Sequence, residues 1–260
     1  MTDYKAISFE QSGPIARITL NRADAANSMN DTMTRELAHA ARHCDDGVTK
    51  VVVLTGAGRF FSAGGDLRGM AESSTTRGHY VKTIADDLHR AVSTFARMDA
   101  VLVTAVNGVA AGAGFSLAVT GDLVLAADTA SFTMAYTAAG LSPDGSSSFY
   151  LPRLIGVRKT QELMLTNRKL SGAEALEWGL VTEVVGAAEL SARTDAVAEQ
   201  IASGARGSSS AVKKLLLMSL KNGLEEQMEC EGRLIAECAD SADGGEGIDA
   251  FLEKRRPQFA

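Results

Sequence analysis

Two glycine-rich segments decide the architecture of this chain: FSAGGDL at residues 61–67 and NGVAAGAG at residues 107–114. Each follows an apolar, β-branched run, at residues 51–54 and 101–106, which is typical of a buried strand. Small residues directly after a strand allow the backbone to approach a ligand closely. Two such strand ends can each direct an unpaired N–H at one point, which is the requirement for an oxyanion hole. Either segment alone also fits an ordinary strand-to-helix turn, so the prediction rests on the two segments together.

Strand-like and helical patterns alternate over the first 200 residues. Residues 15–20 alternate like a half-buried strand, and a helix follows that Asn30 or Asp31 can cap. Residues 171–174 (SGAE) match a capping box at the start of a later helix. The remaining predicted elements are a helix around residues 81–95, a short helix around 117–119, a strand at 123–126 and a helix around 159–165. This alternation predicts an α/β core with a largely parallel sheet over residues 1–200.

Residues 201–260 have a different pattern, because apolar residues recur at helical spacing and no strand-like run occurs. The recurring residues are Val212, Leu215, Leu216, Leu224, Met228, Leu234 and Ile235. Such helices carry more apolar surface than an isolated appendage should expose. They are therefore predicted to form a helical C-terminal oligomerisation region that is buried between subunits.

Composition and charge exclude several classes of protein. Hydrophobic residues make up 45% and charged residues 22% of the 260 residues, which indicates a globular chain, and the net charge of −6 disfavours nucleic-acid binding. The three cysteines (Cys44, Cys230 and Cys238) have no CxxC spacing, so neither a metal site nor a disulfide framework is expected. The first seven residues lack the apolar stretch of a signal peptide, and no segment has membrane-spanning length. We therefore expect a cytoplasmic protein without a membrane contact.

From residue 21 to residue 259 the chain resembles the enoyl-CoA hydratase/isomerase (crotonase) superfamily, with the two glycine-rich segments as the most specific match. The resemblance implies an α/β fold, a spiral of β-β-α units with a C-terminal helical trimerisation region. It implies an acyl-CoA thioester as the substrate, with coenzyme A arriving as part of that substrate and no permanently bound cofactor. It also implies a homotrimer or a dimer of trimers.

The same resemblance assigns roles to individual residues. The oxyanion hole would consist of the backbone N–H groups of Gly65 and Ala113, where alanine is compatible with a role that uses only the backbone. The predicted coenzyme A contacts are Ala26, Ala63, Gly65, Asp66, Leu67, Arg68 and Ala113.

The resemblance also indicates which residues stand at the acid–base positions. Hydratases of the superfamily use two glutamates, and Ser116 and Tyr136 stand at those places here. Neither side chain is an effective base near neutral pH. Asp144, within Pro143-Asp144-Gly145, resembles the acid of the enoyl-CoA isomerases and is the predicted catalytic base. The other interpretation is that Asp144 only caps the following helix.

The leading hypothesis is therefore an enoyl-CoA isomerase that shifts a double bond through an enolate with one carboxylate base. Within enzymes, the alternative is an enoyl-CoA hydratase or another enolate reaction of the superfamily. From a different class, the alternative is a non-catalytic relative that binds coenzyme A or RNA. The four histidines (His39, His43, His79 and His89) are predicted at the surface in preference to a direct role.

Overall fold

A computed structural model describes residues 4–260 of the protein. Residues 1–3 lie outside the described residues. They belong to the N-terminal segment for which no signal peptide was predicted. The larger sheet has six strands in the order β1-β2-β3-β5-β7-β10. These strands are β1 (Ile7–Ser12), β2 (Ile15–Leu20), β3 (Val51–Gly56), β5 (Val101–Val106), β7 (Leu123–Ala127) and β10 (Glu183–Val185). Apart from the antiparallel pair β1–β2, all neighbours are parallel, which confirms the predicted type of sheet.

A second, smaller sheet carries the glycine-rich turns. Its order is β4-β6-β8-β9, with β4 (Phe60–Ser62), β6 (Val109–Ala111), β8 (Ser131–Thr133) and β9 (Leu170–Ser171). These strands have two or three residues each, which is too short for an alternating pattern to stand out in the sequence. The neighbours β4, β6 and β8 run parallel, so the residues that follow them gather at one edge of the sheet.

Ten α-helices connect and cover the two sheets in the described part of the chain. They are α1 (Asp31–His43), α2 (Leu67–Glu72), α3 (Arg77–Arg97), α4 (Ala113–Ala118), α5 (Ser147–Thr166), α6 (Gly172–Glu177), α7 (Leu190–Ala202), α8 (Arg206–Ser219), α9 (Leu224–Ala239) and α10 (Ala242–Leu252). Asn30 caps α1 by accepting the N–H of Met33, and Ser171 with Glu174 forms the predicted capping box. Helix α5 begins at Ser147, well before the helix predicted around residues 159–165.

The hydrophobic core lies around the central strands of the larger sheet. Strand β5 is buried along its whole length, and the first four residues of β3 are buried as well. Helices α1 and α3 pack against each other, while α7 packs against β3, β5 and β7. Continuous apolar runs are expected in strands that are covered on both faces, which is why these two strands were visible in the sequence.

Helix α8 attaches the C-terminal helices to the core through a buried lysine. The ammonium group of Lys213 donates to the carbonyl oxygens of Phe95 (2.9 Å) and Ala100 (2.5 Å) and pairs with Asp122 (2.8 Å). The residues after Ala202 form only helices and turns, in agreement with the predicted helical region. The division into two domains at residue 200 stays a prediction.

Replacing Lys213 by methionine should destabilise the protein. The change leaves two buried carbonyl groups without a donor, which costs about 1–3 kcal/mol each time a buried partner is lost. Thermal unfolding followed by circular dichroism measures the effect. The matched control is Lys214→Met, because Lys214 pairs with the exposed side of Asp99 and such surface pairs contribute about 0–1 kcal/mol. Equal melting temperatures for the two variants would contradict the anchoring role of Lys213.

Candidate active site

The two glycine-rich turns lie side by side because β4 and β6 are parallel neighbours. Gly64 has a φ of +95°, and a Cβ added there would lie 2.8 Å from the carbonyl oxygen of Ala111 and 3.3 Å from the nitrogen of Ala113. Real side chains do not tolerate the first distance, and the positive φ disfavours them as well. Only glycine therefore allows the first turn to approach the second this closely.

Gly114 brings helix α4 against β4. A Cβ at this position would lie 2.4 Å from the carbonyl oxygen of Ser62. The absence of a side chain thus fixes the start of α4, and with it Ala113, next to the end of β4. The small residues of the second segment are required by this contact as much as by a ligand.

The N–H groups of Gly65 and Ala113 are available for a ligand. Within residues 4–260, neither group donates a hydrogen bond to another protein atom. Both residues line one cavity of about 440 Å³. Two unpaired N–H groups at one cavity are what an oxyanion hole needs, so the structure brings together the two predicted donors.

The cavity has an apolar wall and one acid. Its apolar lining includes Met70, Val81, Ile84 and Leu141. Among the described residues, Asp144 is the one carboxylate that lines it. An apolar cleft with few polar groups suits an acyl chain whose reactive end is held by specific donors.

The carboxylate of Asp144 belongs to a short chain of hydrogen bonds. The hydroxyl of Tyr136 donates to Asp144 Oδ1 (2.7 Å) and lies 3.0 Å from the hydroxyl of Ser116. Burial and the negative charge of Asp144 raise the pKa of Tyr136, so that Tyr136 stays a protonated donor. Ser116 and Tyr136 thus do more than line a wall, because they orient the carboxylate.

The helix-cap interpretation of Asp144 does not describe its carboxylate. It is the backbone carbonyl of Asp144 that accepts hydrogen bonds from Ser147, from its N–H (3.3 Å) and its hydroxyl (2.9 Å). Ser146 occupies the N-cap position of α5, and its side chain makes no capping hydrogen bond. The carboxylate of Asp144 is left to face Tyr136 and the cavity.

His89 lies beside Asp144, whereas the sequence favoured a surface position over a direct role for this histidine. Its Nε2 is 3.8 Å from Asp144 Oδ2 and accepts the N–H of Gly145 at 3.3 Å. About half of the side chain is exposed, so the predicted surface position holds, but the ring also touches the site. The helical periodicity of α3 could locate His89 on that helix without showing which loop it faces.

The predicted coenzyme A contacts divide into two groups. Ala63 and Leu67 line the cavity together with the oxyanion residues, whereas Ala26, Asp66 and Arg68 do not. Ala26 accepts the N–H of Ala63 (3.0 Å) through its carbonyl, and Arg68 is exposed. Contacts of these residues with coenzyme A stay predictions.

Asp66 has a structural role that does not depend on a ligand. Its carboxylate accepts hydrogen bonds from Arg22 (3.1 Å) and from the N–H of Gly69 (3.0 Å), so that it caps α2. The pair with Arg22 connects α2 to the segment that precedes α1. Asp66 therefore fixes the position of α2, which carries Leu67 and Met70 into the cavity wall.

In the part of the chain that the structure describes, no group of three or more histidine, cysteine, aspartate or glutamate side chains is arranged to hold a metal ion. Over the same residues no helix combines the length and the apolar character that crossing a membrane requires.

Comparison with known proteins defines the class. The sequence profile of the enoyl-CoA hydratase/isomerase family matches residues 10–260. The chain belongs to this family of enzymes, as its glycine-rich turns predicted, and the interpretation as an acyl-CoA-processing enzyme is confirmed.

Individual relatives carry both of the family's names. The chain is 37% identical to a probable enoyl-CoA hydratase of Rhodobacter capsulatus, over 98% of both chains. It is 35% identical to the 1,2-epoxyphenylacetyl-CoA isomerase of Escherichia coli, over 94% of both chains. It is 30% identical to the trans-2-decenoyl-[acyl-carrier-protein] isomerase of Streptococcus mutans, over 99% of this chain and 98% of that one.

Solved structures confirm the predicted fold. A putative enoyl-CoA hydratase/isomerase from Mycobacterium abscessus superposes with a TM-score of 0.93 at 30% identity, covering 98% of this chain and 99% of the other. An enoyl-CoA hydratase from Bacillus anthracis gives a TM-score of 0.92 at 30% identity with the same coverage. The fold is that of the crotonase superfamily, including the C-terminal helices.

Adding a single methyl group at Gly114 should damage the site. In Gly114→Ala the new Cβ collides with the backbone of Ser62, so α4 and the N–H of Ala113 must shift. A displacement of this kind can cost about 100-fold in turnover of an enoyl-CoA. The matched control is Gly232→Ala in α9, where a Cβ meets no atom within 4 Å and where alanine favours a helix by about 0.5–1 kcal/mol. Circular dichroism first shows that both variants are folded to the same extent, and steady-state kinetics then measures their turnover. A fully active Gly114→Ala would contradict the proposed contact.

Proposed function

We propose that this enzyme is an enoyl-CoA isomerase that moves a carbon–carbon double bond along an acyl-CoA thioester. The observation that supports this most directly is the composition of the cavity: two unpaired N–H groups and one carboxylate, Asp144, share it. A double-bond shift needs one base that removes a proton and returns it two carbons away. A second acid is not required for that reaction.

The chemistry follows from where each group lies. The thioester oxygen accepts hydrogen bonds from the N–H groups of Gly65 and Ala113, which hold the negative charge as the α-proton leaves. Each such donor is typically worth about 100- to 1000-fold in rate. Asp144 takes the proton, forms a carboxylic acid and delivers a proton to the γ-carbon, which completes the shift. The apolar lining keeps the acyl chain extended past Asp144.

Tyr136 has a positioning role in this proposal. Its hydroxyl binds Oδ1 of Asp144, which leaves Oδ2 as the oxygen that faces the reaction. Tyr136 is itself placed by the buried Ser116, so the carboxylate is oriented through the hydroxyl of Tyr136.

Hydration is the weaker candidate. Adding water requires one group to deprotonate the water and another to protonate the α-carbon. The places of the two hydratase glutamates hold Ser116 and Tyr136, and both are already hydrogen-bonded toward Asp144. Relatives bear the names of hydratases and of isomerases, so the cavity, rather than the names, favours isomerisation.

Coenzyme A enters this proposal only as part of the substrate, with no permanently bound cofactor. The expected location stays the cytoplasm. The acyl group would face walls formed by α2, α3 and the segment before α5.

Asp144→Asn should nearly abolish double-bond migration, since it removes the base and preserves the shape of the side chain. Loss of a general base typically lowers the rate by about 100- to 10,000-fold. The measurement is conversion of a 3-enoyl-CoA to the 2-enoyl-CoA by absorbance, together with binding of a saturated acyl-CoA by calorimetry. Binding should persist, because the oxyanion donors are untouched.

A control and a comparison sharpen this test. Asp45→Asn makes the same chemical change at an exposed position remote from the cavity and should keep wild-type turnover. The wild-type enzyme is also given a 2-enoyl-CoA, and formation of the hydroxyacyl-CoA by addition of water is measured. Faster hydration than isomerisation, or near-normal isomerisation by Asp144→Asn, would contradict the proposal.

We further propose that the enzyme assembles as a homotrimer or a dimer of trimers through its C-terminal helices. Large apolar side chains there are more than half exposed in the single chain: Val212, Leu216, Leu224, Met228, Ile235, Ile248, Phe251 and Leu252. Soluble proteins rarely leave so many large apolar side chains exposed in one region, so a subunit interface is the favoured explanation.

The double variant Ile235→Glu/Phe251→Glu should shift the protein toward monomers, because it puts charges on two of the most exposed apolar positions, which are 72% and 82% accessible. Sedimentation velocity at equal concentrations measures the change. Val48→Glu introduces the same charge at an exposed apolar residue outside the C-terminal helices and should not alter the assembly. A wild-type protein that sediments as a monomer would contradict the assembly.

A further inference from the structure

His89 stands between two cavities. On one side is Asp144, which lines the 440 Å³ cavity already described. On the other side is a separate cavity of about 350 Å³, and His89 itself belongs to its lining. Polar residues (Ser93, Arg97 and Ser146) line part of the second cavity and apolar residues line the rest. The side chain of His89 is about half exposed, so solvent reaches its ring.

The protonation of His89 follows from its neighbours. Since Nε2 accepts the N–H of Gly145 at 3.3 Å, that nitrogen carries a lone pair and the ring proton resides on Nδ1. Oδ2 of Asp144 lies 3.8 Å from the same Nε2. This separation exceeds a hydrogen bond, and a modest rotation of the half-exposed ring or one bridging water closes it.

The side chain of Asp144 is 29% exposed in the single chain, and a bound substrate covers part of that surface. The acyl chain fills the first cavity during the reaction and covers the face of Asp144 that points into it. Tyr136 already occupies Oδ1 by donating to it. Oδ2 lies toward the ring of His89, which also lines the second cavity.

We propose that His89 relays protons between Asp144 and the solvent of the second cavity, so that the proton removed from the substrate exchanges with water before one is returned. The inference rests on the proposed isomerase function. Because it acts through Asp144, His89 is a positioning and relay residue and does not contact the substrate.

The relay conserves atoms and charge at each step. The O–H bond of protonated Asp144 breaks as an Nε2–H bond forms, which gives an imidazolium ion beside a carboxylate. The Nδ1 proton then passes to water, and the ring is neutral again. In the reverse direction water supplies a proton to the ring and the ring supplies one to Asp144, which delivers it to the γ-carbon.

The test is isomerisation of 3-hexenoyl-CoA in deuterium oxide, stopped at low conversion and analysed by mass spectrometry and NMR. In the wild-type enzyme most product molecules should carry deuterium at the γ-carbon. In His89→Gln the deuterated fraction should fall at least about fivefold, because glutamine still accepts the N–H of Gly145 but cannot carry a proton onward. His79→Gln removes a histidine from the same helix that lines neither cavity and should give the wild-type fraction.

The deuterated fraction separates a relay from a structural effect. If glutamine merely displaced Asp144, turnover would fall while the labelled fraction stayed as in the wild type, and the inference would be overturned. Absence of deuterium in the wild-type product would also overturn it, and this result needs no variant.

A second substrate separates this inference from the proposed function. Hexanoyl-CoA has no double bond to move, but its α-hydrogens exchange with deuterium oxide if Asp144 removes them and His89 relays them. Exchange that is lost in His89→Gln, without any isomerisation of 3-hexenoyl-CoA by the wild type, would refute the isomerase function and support the relay. Isomerisation with an unchanged labelled fraction in His89→Gln would support the isomerase function and refute the relay. If the wild type neither isomerises 3-hexenoyl-CoA nor exchanges the α-hydrogens of hexanoyl-CoA, both the isomerase function and the relay are refuted.

Discussion

The close approach of two backbone turns is the constraint on which this enzyme depends. Gly64 and Gly114 each lie where a single Cβ would collide with a carbonyl oxygen of the other segment. Hydrogen bonds then fix the first turn from behind: the hydroxyl of Ser62 donates to the carbonyl of the buried Asn27 and accepts the N–H of Gly64. A hydrogen-bond donor in an oxyanion hole acts by being placed in advance, so this rigidity suits the proposed role of the two turns.

The proposed base comes from a different kind of structure. The proposed oxyanion donors follow strands of the small sheet, whereas Asp144 lies in the turn before α5, with Tyr136 on one carboxylate oxygen and His89 near the other. Turns accept changes more easily than a sheet does. The fold can therefore keep the proposed oxyanion hole and exchange the group that moves the proton, which agrees with relatives named for different reactions.

The sequence predicted the parts of the molecule that repeat a pattern. Strands β3 and β5 and helix α1 were visible from apolar runs and spacing, whereas β4 and β6 are three residues long and no periodicity marks them. Asp144 was predicted through resemblance, since an isolated Pro-Asp-Gly would equally well begin a helix. His89 could not be predicted, because its neighbour Asp144 is 55 residues away and meets it only through the packing of α3 beneath the turn.

The turn that carries Asp144 leaves little room for a longer side chain at residue 116. Gly145 has a φ of +60°, and a Cβ there would lie 2.9 Å from the Cβ of Ser116. The turn that carries Asp144 thus rests directly on α4, and Ser116 is fully buried beneath it. A glutamate at residue 116 would need the volume that this turn occupies. In this chain the turn therefore places Asp144 above a small residue, Ser116.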